Sequence, residues 1–333
     1  MAVRIGLNGF GRIGRCLLRL AASGAGLDIA VVNARADNAS LAHLFKYDSV
    51  HGTFPGVVEP NEAGFLVNGK QVLVTRCATG EWKWGELGVD LVVESTGTLK
   101  DRAGLARHLD CGAKKVVISA PGQSVDLTVV MGVNHTSYDS ATHHVLSNAS
   151  CTTNCLAPVA KILQETFGIS RGLMTTIHSY TMSQRLLDGS HKDLRRGRAA
   201  ALSMLPTTTG AAKAIALVIP ELAGKLDGMA VRVPTPNVSI VDLTCDFDRD
   251  VTVQEVNAVL KKASETTMKD FMGYTEVPLV SCDYVGSTYG GVVDGLCTTV
   301  IDKRMGKVII WYDNEAGFTN QLVRLLRMIS ASL

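Results

Sequence analysis

The sequence predicts an α/β fold, with a doubly wound parallel sheet in the N-terminal half and an α+β domain on a mixed or antiparallel sheet after it. Three observations carry this. The chain has 333 residues, enough for two domains at about 150 residues each. Short apolar runs alternate with helix-periodic segments through the first half, the pattern of β-α-β units. The second half has longer β-rich segments with fewer helices between them, which suits a mixed or antiparallel sheet with helices on one face.

In chain order, residues 3–7 read as a strand, followed by a helix pattern through Ile13, Leu17, Leu18 and Leu20. Residues 28–33 (DIAVVN) make a second strand and residues 41–47 a helix. Residues 65–67 and 71–75 flank Asn68-Gly69, the strongest short hairpin signal. The runs at 90–95, 115–119 and 144–147 are further buried strands. Beyond them, 174–180, 229–234, 239–247 and 307–312 are the longer β-rich segments, with a helix over 253–266. The last segment puts Phe318, Leu322, Leu325, Leu326 and Ile329 on one helical face. The expected division is 1–148 for the first domain and 149–315 for the second, with a terminal helix, 316–333, packing back on the first.

Charge narrows the function. Lys plus Arg is 33 and Asp plus Glu is 31, a net charge of +2. That argues against a dedicated nucleic-acid binder, which carries a basic excess, and against an acidic disordered chain. Charged residues are only 19 % of the chain and mean hydropathy is slightly positive, which hints at apolar surface for a subunit interface. The eight cysteines are expected as free thiols, because the N-terminus enters a strand at once with no apolar export segment. No apolar run reaches the roughly 18–20 residues that cross a bilayer. The expectation is a cytoplasmic protein with no membrane contact.

Positions 8–15, NGFGRIGR, hold G-x-G-x-x-G between a strand and a helix at the start of a β-α-β unit, the context in which the motif binds a dinucleotide. Gly9 allows the tight turn, Gly11 lets the backbone approach a pyrophosphate, and Gly14 lets helix and strand pack closely. Phe10, Arg12 and Ile13 lie in the same turn. This is a Rossmann-type site, unless the turn is merely glycine-rich and binds nothing. An NAD site usually carries Asp or Glu about 20 residues on, bonded to the ribose 2′-hydroxyl. Ala34 and Arg35 occupy that slot. Losing the carboxylate removes repulsion against a 2′-phosphate, and a guanidinium pairs with one. The expectation leans to NADP, or to use of both NADP and NAD. The alternative is a solvated Arg35 with Asp37 reaching back to the ribose.

Residues 147–154, SNASCTTN, precede a helix-like run at 155–167. Ser150 is a candidate N-cap. That places Cys151 in the first helical turn, where the dipole favours a thiolate and lowers the thiol pKa from about 8.5. Pro158 removes one amide donor inside the run; a kink or a later helix start would accommodate it. Cys151 and Cys155 stand four apart on one face. They include a nucleophile, or are buried thiols, or ligate a metal. No second Cys or His pair stands at zinc spacing nearby, so no metal is expected.

Further segments extend the pattern: KYDSVHG at 46–52, HSYT at 178–181, RRGRAAA at 195–201, PTTTGAAKA at 206–214, RVPTPN at 232–237 and WYDNEAGF at 311–318. Together with SCTTN and NGFGRIGR, the chain resembles the phosphorylating glyceraldehyde-3-phosphate dehydrogenases over essentially its whole length. The resemblance implies that Cys151 attacks an aldehyde and His178 acts as its base. Hydride then leaves to a nicotinamide, and inorganic phosphate attacks the resulting thioester. It implies that Thr181 and Arg232 hold the C3 phosphate of glyceraldehyde 3-phosphate. Ser150, Thr209 and Gly210 would hold inorganic phosphate, with Thr152 in the same substrate-binding set and Arg195 as a further contributor. Asn314 would hold the nicotinamide carboxamide, and Thr96 and Gly97 would line the dinucleotide groove. A homotetramer is implied as well.

Residues 191–198, HKDLRRGR, form the densest basic stretch. No aromatic residue interleaves with it as in a nucleic-acid groove, and no nucleic-acid partner is expected. By resemblance it belongs to a long loop, roughly 180–203, that packs at a subunit interface and reaches a neighbour's cofactor. Strictly NAD-using members commonly show Leu-Pro after the loop's Asp, whereas Asp188 is followed here by Gly189-Ser190. Ser190 would donate to a 2′-phosphate, a second departure towards the NADP-using branch. Two rival functions stay open: an erythrose-4-phosphate dehydrogenase, where water releases the acyl group, and a dinucleotide-sensing regulator without turnover.

Overall fold

Strand register separates two sheets in the computed structural model, which describes residues 3–333. The first sheet contains β1 (Arg4–Asn8), β2 (Asp28–Asn33), β3 (Val58–Asn61), β4 (Gly64–Val67), β5 (Lys70–Thr75), β6 (Leu91–Glu94), β7 (Lys115–Ile118), β8 (Leu127–Thr128) and β9 (Val145–Ser147). Its spatial order is β3-β4-β5-β2-β1-β6-β7-β9-β8. β1 is parallel to both β2 and β6, and β7 and β9 extend the parallel run. β6 is buried along its whole length, as a strand covered on both faces must be. The connecting helices are α1 (Arg12–Ala22), α2 (Asn38–Lys46) and α3 (Arg102–Asp110). Because β2 and β6 lie on opposite sides of β1, the carboxyl end of β1 is a topological switch point, where open α/β sheets bind ligands.

The edge of this sheet is a meander. β3, β4 and β5 pair antiparallel, and Asn68 and Gly69 take φ +51° and +80°, the two positive values a type I′ turn needs. The Asn-Gly hairpin is therefore where the sequence put it, although β3 was not anticipated.

The second sheet contains β10 (Ile169–Ser179), β11 (Leu205–Thr208), β12 (Leu226–Val233), β13 (Ser239–Phe247), β14 (Met272–Thr275), β15 (Gly291–Ile301) and β16 (Met305–Tyr312). Its order is β11-β12-β10-β13-β16-β15-β14. It is mixed: β10 runs parallel to β12 but antiparallel to β13. β13 alternates buried and half-buried residues without a break, the signature of one covered and one open face. α4 (Cys151–Phe167), α5 (Ala211–Val218) and α6 (Val253–Glu265) belong to the same unit, and α7 (Ala316–Ser330) ends the chain. α4 starts at Cys151 and continues through Pro158. Nearly every residue from Thr152 to Leu163 is buried, so packing outweighs the missing amide. β11, β14 and β15 were not anticipated.

Contacts divide the chain into two units. One holds residues up to Val129, His135–Ala149 and Thr319–Leu333; the other holds Val130–Asn134 and Ser150–Phe318. A parallel Rossmann-type sheet followed by a mixed sheet is the fold class that the sequence predicted. All eight cysteines are free thiols. Among the described residues no helix is long and apolar enough to cross a membrane.

Candidate active site

After β1 the chain turns at Gly9, whose φ is +100°. A Cβ there would sit 2.8 Å from the Ser95 carbonyl carbon and the Thr96 nitrogen, and one on Gly14 would sit 2.6 Å from the Gly9 oxygen. Both positions exclude a side chain. A Cβ on Gly11 would meet nothing within 4 Å, so that surface is open to a ligand. Gly11 is the N-cap of α1, with no side-chain cap and no acidic residue in the first turn, which leaves amides available to an anion. The turn opens on a cavity of about 780 Å³ lined by residues that include Gly9, Phe10, Ala34, Arg35, Trp82 and Thr96. Trp82 Nε1 is a buried donor with no partner among the described residues. A glycine cradle, open helix amides and an unanswered donor on the wall fit a dinucleotide.

The rest of the turn is anchored. Phe10 stacks with Phe45 at 6.3 Å. Arg12 forks onto Asp48, with Nη1–Oδ2 2.6 Å and Nη2–Oδ1 3.1 Å. Burial would raise the Asp48 carboxyl, but the His51 amide and the Arg12 guanidinium hold it well below the usual range. Ile13 is half-buried in the first turn of α1, and Gly97 takes φ +75° just past β6.

Beneath the turn lies a polar network that sequence reasoning missed. Asn8, Asn33 and Glu94 end three adjacent parallel strands in register. Asn33 Nδ2 donates to Asn8 Oδ1 at 2.8 Å, and Asn8 Nδ2 donates to Glu94 Oε2 at 2.6 Å. The Thr96 amide and hydroxyl both donate to Glu94 Oε1, at 2.7 and 2.5 Å. Trp84 Nε1 donates to His108 Nδ1 at 3.0 Å. An indole only donates, so His108 carries its proton on Nε2 and gives it to Glu94 Oε2 at 3.1 Å. Burial alone would raise the Glu94 carboxyl; His108, Thr96 and Asn8 outweigh it and hold it below its ordinary value. The available signal was a carboxylate closing the apolar run Leu91–Glu94 at the binding end of the sheet, where a buried charge demands donors.

The second unit gathers Cys151, His178 and Arg232. Ser150 caps α4 by accepting from the Thr153 amide at 3.0 Å, which sets Cys151 at the helix start. Cys151 Sγ lies 3.5 Å from His178 Nε2. His178 and Arg232 are opposite residues of the β10–β12 pair, and Arg232 Nη1 stands 2.8 Å from His178 Nδ1. His178 also meets the Tyr312 ring edge-on at 5.9 Å. Burial, with the Arg232 charge, pushes His178 down to about 3, so the ring is neutral. The thiol was expected to be lowered. Burial instead raises Cys151, against the pull of Arg232 and the Thr152 groups: desolvation of a thiolate outweighs what those neighbours return. Cys155 is fully buried and raised further. Among the described residues no cluster of potential metal ligands occurs.

The remaining expected residues divide. The Thr152 hydroxyl faces Tyr312 Oη at 2.9 Å in the core. Thr181 Oγ1 pairs with Ser183 Oγ at 2.9 Å. Gly210 caps α5, and Thr209 Oγ1 accepts from the Ala211 amide at 3.2 Å. Arg195 is exposed, with Nη1 on the Pro206 carbonyl at 3.3 Å. It is the charge of Arg196, not of Arg195, that bears on both His178 and Arg232. Asn314 is buried, and its Oδ1 accepts from Ser239 Oγ at 2.9 Å, a partner the sequence did not reveal.

Comparison with known proteins adds the family. Residues 150–314 match the family model described as glyceraldehyde 3-phosphate dehydrogenase, C-terminal domain. Residues 3–102 match the model described as its NAD binding domain. The glyceraldehyde-3-phosphate dehydrogenase of Geobacillus stearothermophilus is 57 % identical over 332 residues, 99 % of each chain. Those numbered 1 and 2 in Bacillus subtilis are 53 % identical, over 99 % of each chain, and 48 % identical, over 100 % of this chain and 98 % of the relative.

The NAD binding domain overturns the expectation of NADP and of an NADP-using branch. A physical reason lies beside Ala34 and Arg35. Asp37 caps α2, accepting from the Ser40 amide at 2.8 Å and hydroxyl at 2.7 Å. The Ser40 bonds hold its carboxyl below the usual range, so the loop keeps an anion two residues past Arg35, and the loss of a carboxylate at position 34 does not by itself select a 2′-phosphate. Position 34 lost one carboxylate, but the loop kept another. Ser190 is exposed, and its backbone carbonyl accepts from Arg185 Nε and Nη2 at 3.0 and 2.8 Å. With both domain models matched and relatives of this identity aligned end to end, the chain belongs to the glyceraldehyde-3-phosphate dehydrogenase family, enzymes of the phosphorylating aldehyde dehydrogenase type that act with a dinucleotide cofactor.

Proposed function

We propose that the protein catalyses the reversible oxidation of D-glyceraldehyde 3-phosphate, with inorganic phosphate, to 1,3-bisphosphoglycerate through a thioester on Cys151. The observation that carries this is the 3.5 Å approach of Cys151 Sγ to His178 Nε2, a nucleophile within reach of a base. Cys151 attacks the aldehyde carbon, and the thiol proton passes by way of His178 Nε2 to the new alkoxide. NAD, when bound at the glycine turn, supplies the hydride acceptor. His178 takes the hydroxyl proton as the carbonyl re-forms, leaving the acyl group on Sγ. Phosphate then attacks that carbon and Sγ leaves.

The neighbours supply the binding roles. Arg232 and Thr181 hold the C3 phosphate. Ser150, Thr209 and Gly210 hold inorganic phosphate, aided by the arginines at 195 and 196. Ser239 orients the Asn314 amide towards the nicotinamide. Residues 1–148 with 316–333 carry the dinucleotide and 149–315 carry the chemistry. Met182, Leu186, Leu187, Leu194, Leu202 and Met204 are largely exposed, and a run of apolar surface of this kind supports assembly into a homotetramer.

An assay of the purified protein with glyceraldehyde 3-phosphate and NAD, with and without phosphate, tests the reading. Sustained NADH formation should require phosphate, and Cys151→Ser should abolish it. Turnover indifferent to phosphate would favour release by water and remove the phosphorylating assignment.

A further inference from the structure

We infer that Val238 is a strut, held in a left-handed backbone so that Ser179, and through it Arg232 and Asn314, stand where their ligands need them. The proposal rests on the function above, which gives Arg232 the C3 phosphate and Asn314 the nicotinamide, and it adds the residues that position both.

Strand register marks where ordinary sheet bonding stops. β10 and β13 pair antiparallel as far as Ile177 with Ile240. Continued by two residues, the same register sets Ser179 opposite Val238. Extended backbone there would close a further step of the ladder. Val238 instead takes φ +68°, a region that a β-branched residue resists. Such strain persists only where the surroundings over-determine it. Here the surroundings are a small apolar cluster, in which Val238, 2 % exposed, packs with Tyr284 and Val292. Glycine would take this φ freely; valine is held in it because its side chain is a plug.

Backbone groups that leave the ladder must find other partners, and side chains supply them. The Ser179 hydroxyl donates to the Val238 carbonyl oxygen at 2.7 Å. The Ser179 amide donates to Ser239 Oγ at 3.1 Å, and Ser239 Oγ donates to Asn314 Oδ1 at 2.9 Å. The Ser179 carbonyl oxygen accepts from Arg232 Nη1 at 2.7 Å. Ser179 is wholly buried. It commits its hydroxyl to the strut, its amide to the route that ends on Asn314, and its carbonyl to Arg232. Tilting this one residue would misplace both binding arms at once. Ser179 and Val238 act through Arg232 and Asn314 and are positioning residues.

Calorimetric titration of the full-length protein with NAD, and separately with glycerol 3-phosphate, reads both arms without turnover. Ser179→Ala removes the bond to the strut. Both dissociation constants should rise, each by about 2- to 12-fold, the worth of one neutral hydrogen bond. Ser179→Thr keeps a hydroxyl and should bring both back. Substitutions at 238 separate strain from packing. Val238→Ala loses the plug yet still resists a positive φ, so its backbone relaxes; Val238→Gly loses more contact but keeps the left-handed region without strain. The strut therefore predicts that alanine weakens both ligands more than glycine does, whereas lost packing alone ranks glycine worse. A rise in only one dissociation constant, or in neither, for Ser179→Ala overturns the inference, and so does glycine worse than alanine at 238. A fall in the number of binding sites with both constants unchanged also overturns it, since that is what a merely structural role produces. Failure of the proposed function would appear separately, as no NADH from glyceraldehyde 3-phosphate in a wild type that binds both ligands.

Discussion

The polar network under the glycine turn and the cluster of Cys151, His178 and Arg232 both take ionisable groups out of water, and they treat that burial in opposite ways. Glu94 is a buried anion whose oxygens take four donors, from Asn8, His108 and both donors of Thr96. It is satisfied and held ionised. His178 is buried, and Cys151 and Arg232 half-buried, without such matching. Burial moves each towards its uncharged form, and Arg232 keeps an orphaned Nε. A fully answered network makes a scaffold. An under-answered one has groups whose protonation a ligand can still change.

The sharpest break of that comparison lies in the cluster. His178→Asn should lower kcat by about 10²–10⁴-fold, the range of a positioned acid–base group, in the NADH assay. The pH dependence follows from the shifts. His178, down at about 3, is already neutral over pH 5–8, so its protonation produces no acid limb there in the ligand-free enzyme. Cys151 is raised, so its thiolate fraction still grows above the ordinary thiol range. Alkylation of Cys151 by iodoacetamide should therefore climb with pH through and beyond that range. A plateau already reached near neutral pH would mean a preformed thiolate–imidazolium pair and would remove the contrast with Glu94.

The same contrast explains what the sequence revealed. The glycine turn was legible because Gly9, Gly11 and Gly14 are local: their spacing encodes a backbone path, and the φ of Gly9 confirms its need. Ser150 foretold Cys151 at a helix start for the same reason. His178 and Arg232 meet through β-strand register, which spacing along the chain does not encode; only the family resemblance named them. Glu94, Ser239 and Tyr312 were passed over because their roles arise from partners 14 to 160 residues away. β15 was missed because Asp294 and Gly295 interrupt the apolar run that marks a strand. The NADP error had another cause. A missing charge at Ala34 was read as selectivity, while Asp37 supplied charge through a helix cap.

Glu94→Gln probes the scaffold side. The substitution keeps shape but turns an acceptor edge into an amide that meets donors with donors. We expect a loss of about 2–3 kcal/mol, one or two buried donors left unanswered, read by denaturant unfolding, together with weaker NAD binding. The sign with pH is fixed. The folded carboxyl is below its ordinary value, so its stabilisation is fully present above the unfolded value of roughly 4.3 and is lost as pH falls through the folded one. The stability gap between wild type and variant should be constant from pH 8 to about 5 and shrink below that. A gap that widened on acidification would mean Glu94 is buried protonated.

The smallest expected effect tests whether the reactive unit contains a satisfied element of its own. Ser239 Oγ donates to Asn314 Oδ1 at 2.9 Å and accepts from the Ser179 amide at 3.1 Å. Because Oδ1 is occupied, the Asn314 NH₂ is the edge left to donate, and in the proposed function it serves the nicotinamide carbonyl. Ser239→Ala removes that choice of edge without touching Cys151 or His178. A neutral hydrogen bond is worth about 0.5–1.5 kcal/mol, so the KM for NAD should rise roughly 2- to 12-fold while kcat at saturating NAD holds. Ser239→Thr keeps the hydroxyl and should recover most of the affinity. A fall in kcat with KM unchanged would instead place Ser239 with the groups that act on the aldehyde, and the line between scaffold and reactive cluster would have to be redrawn inside the second unit.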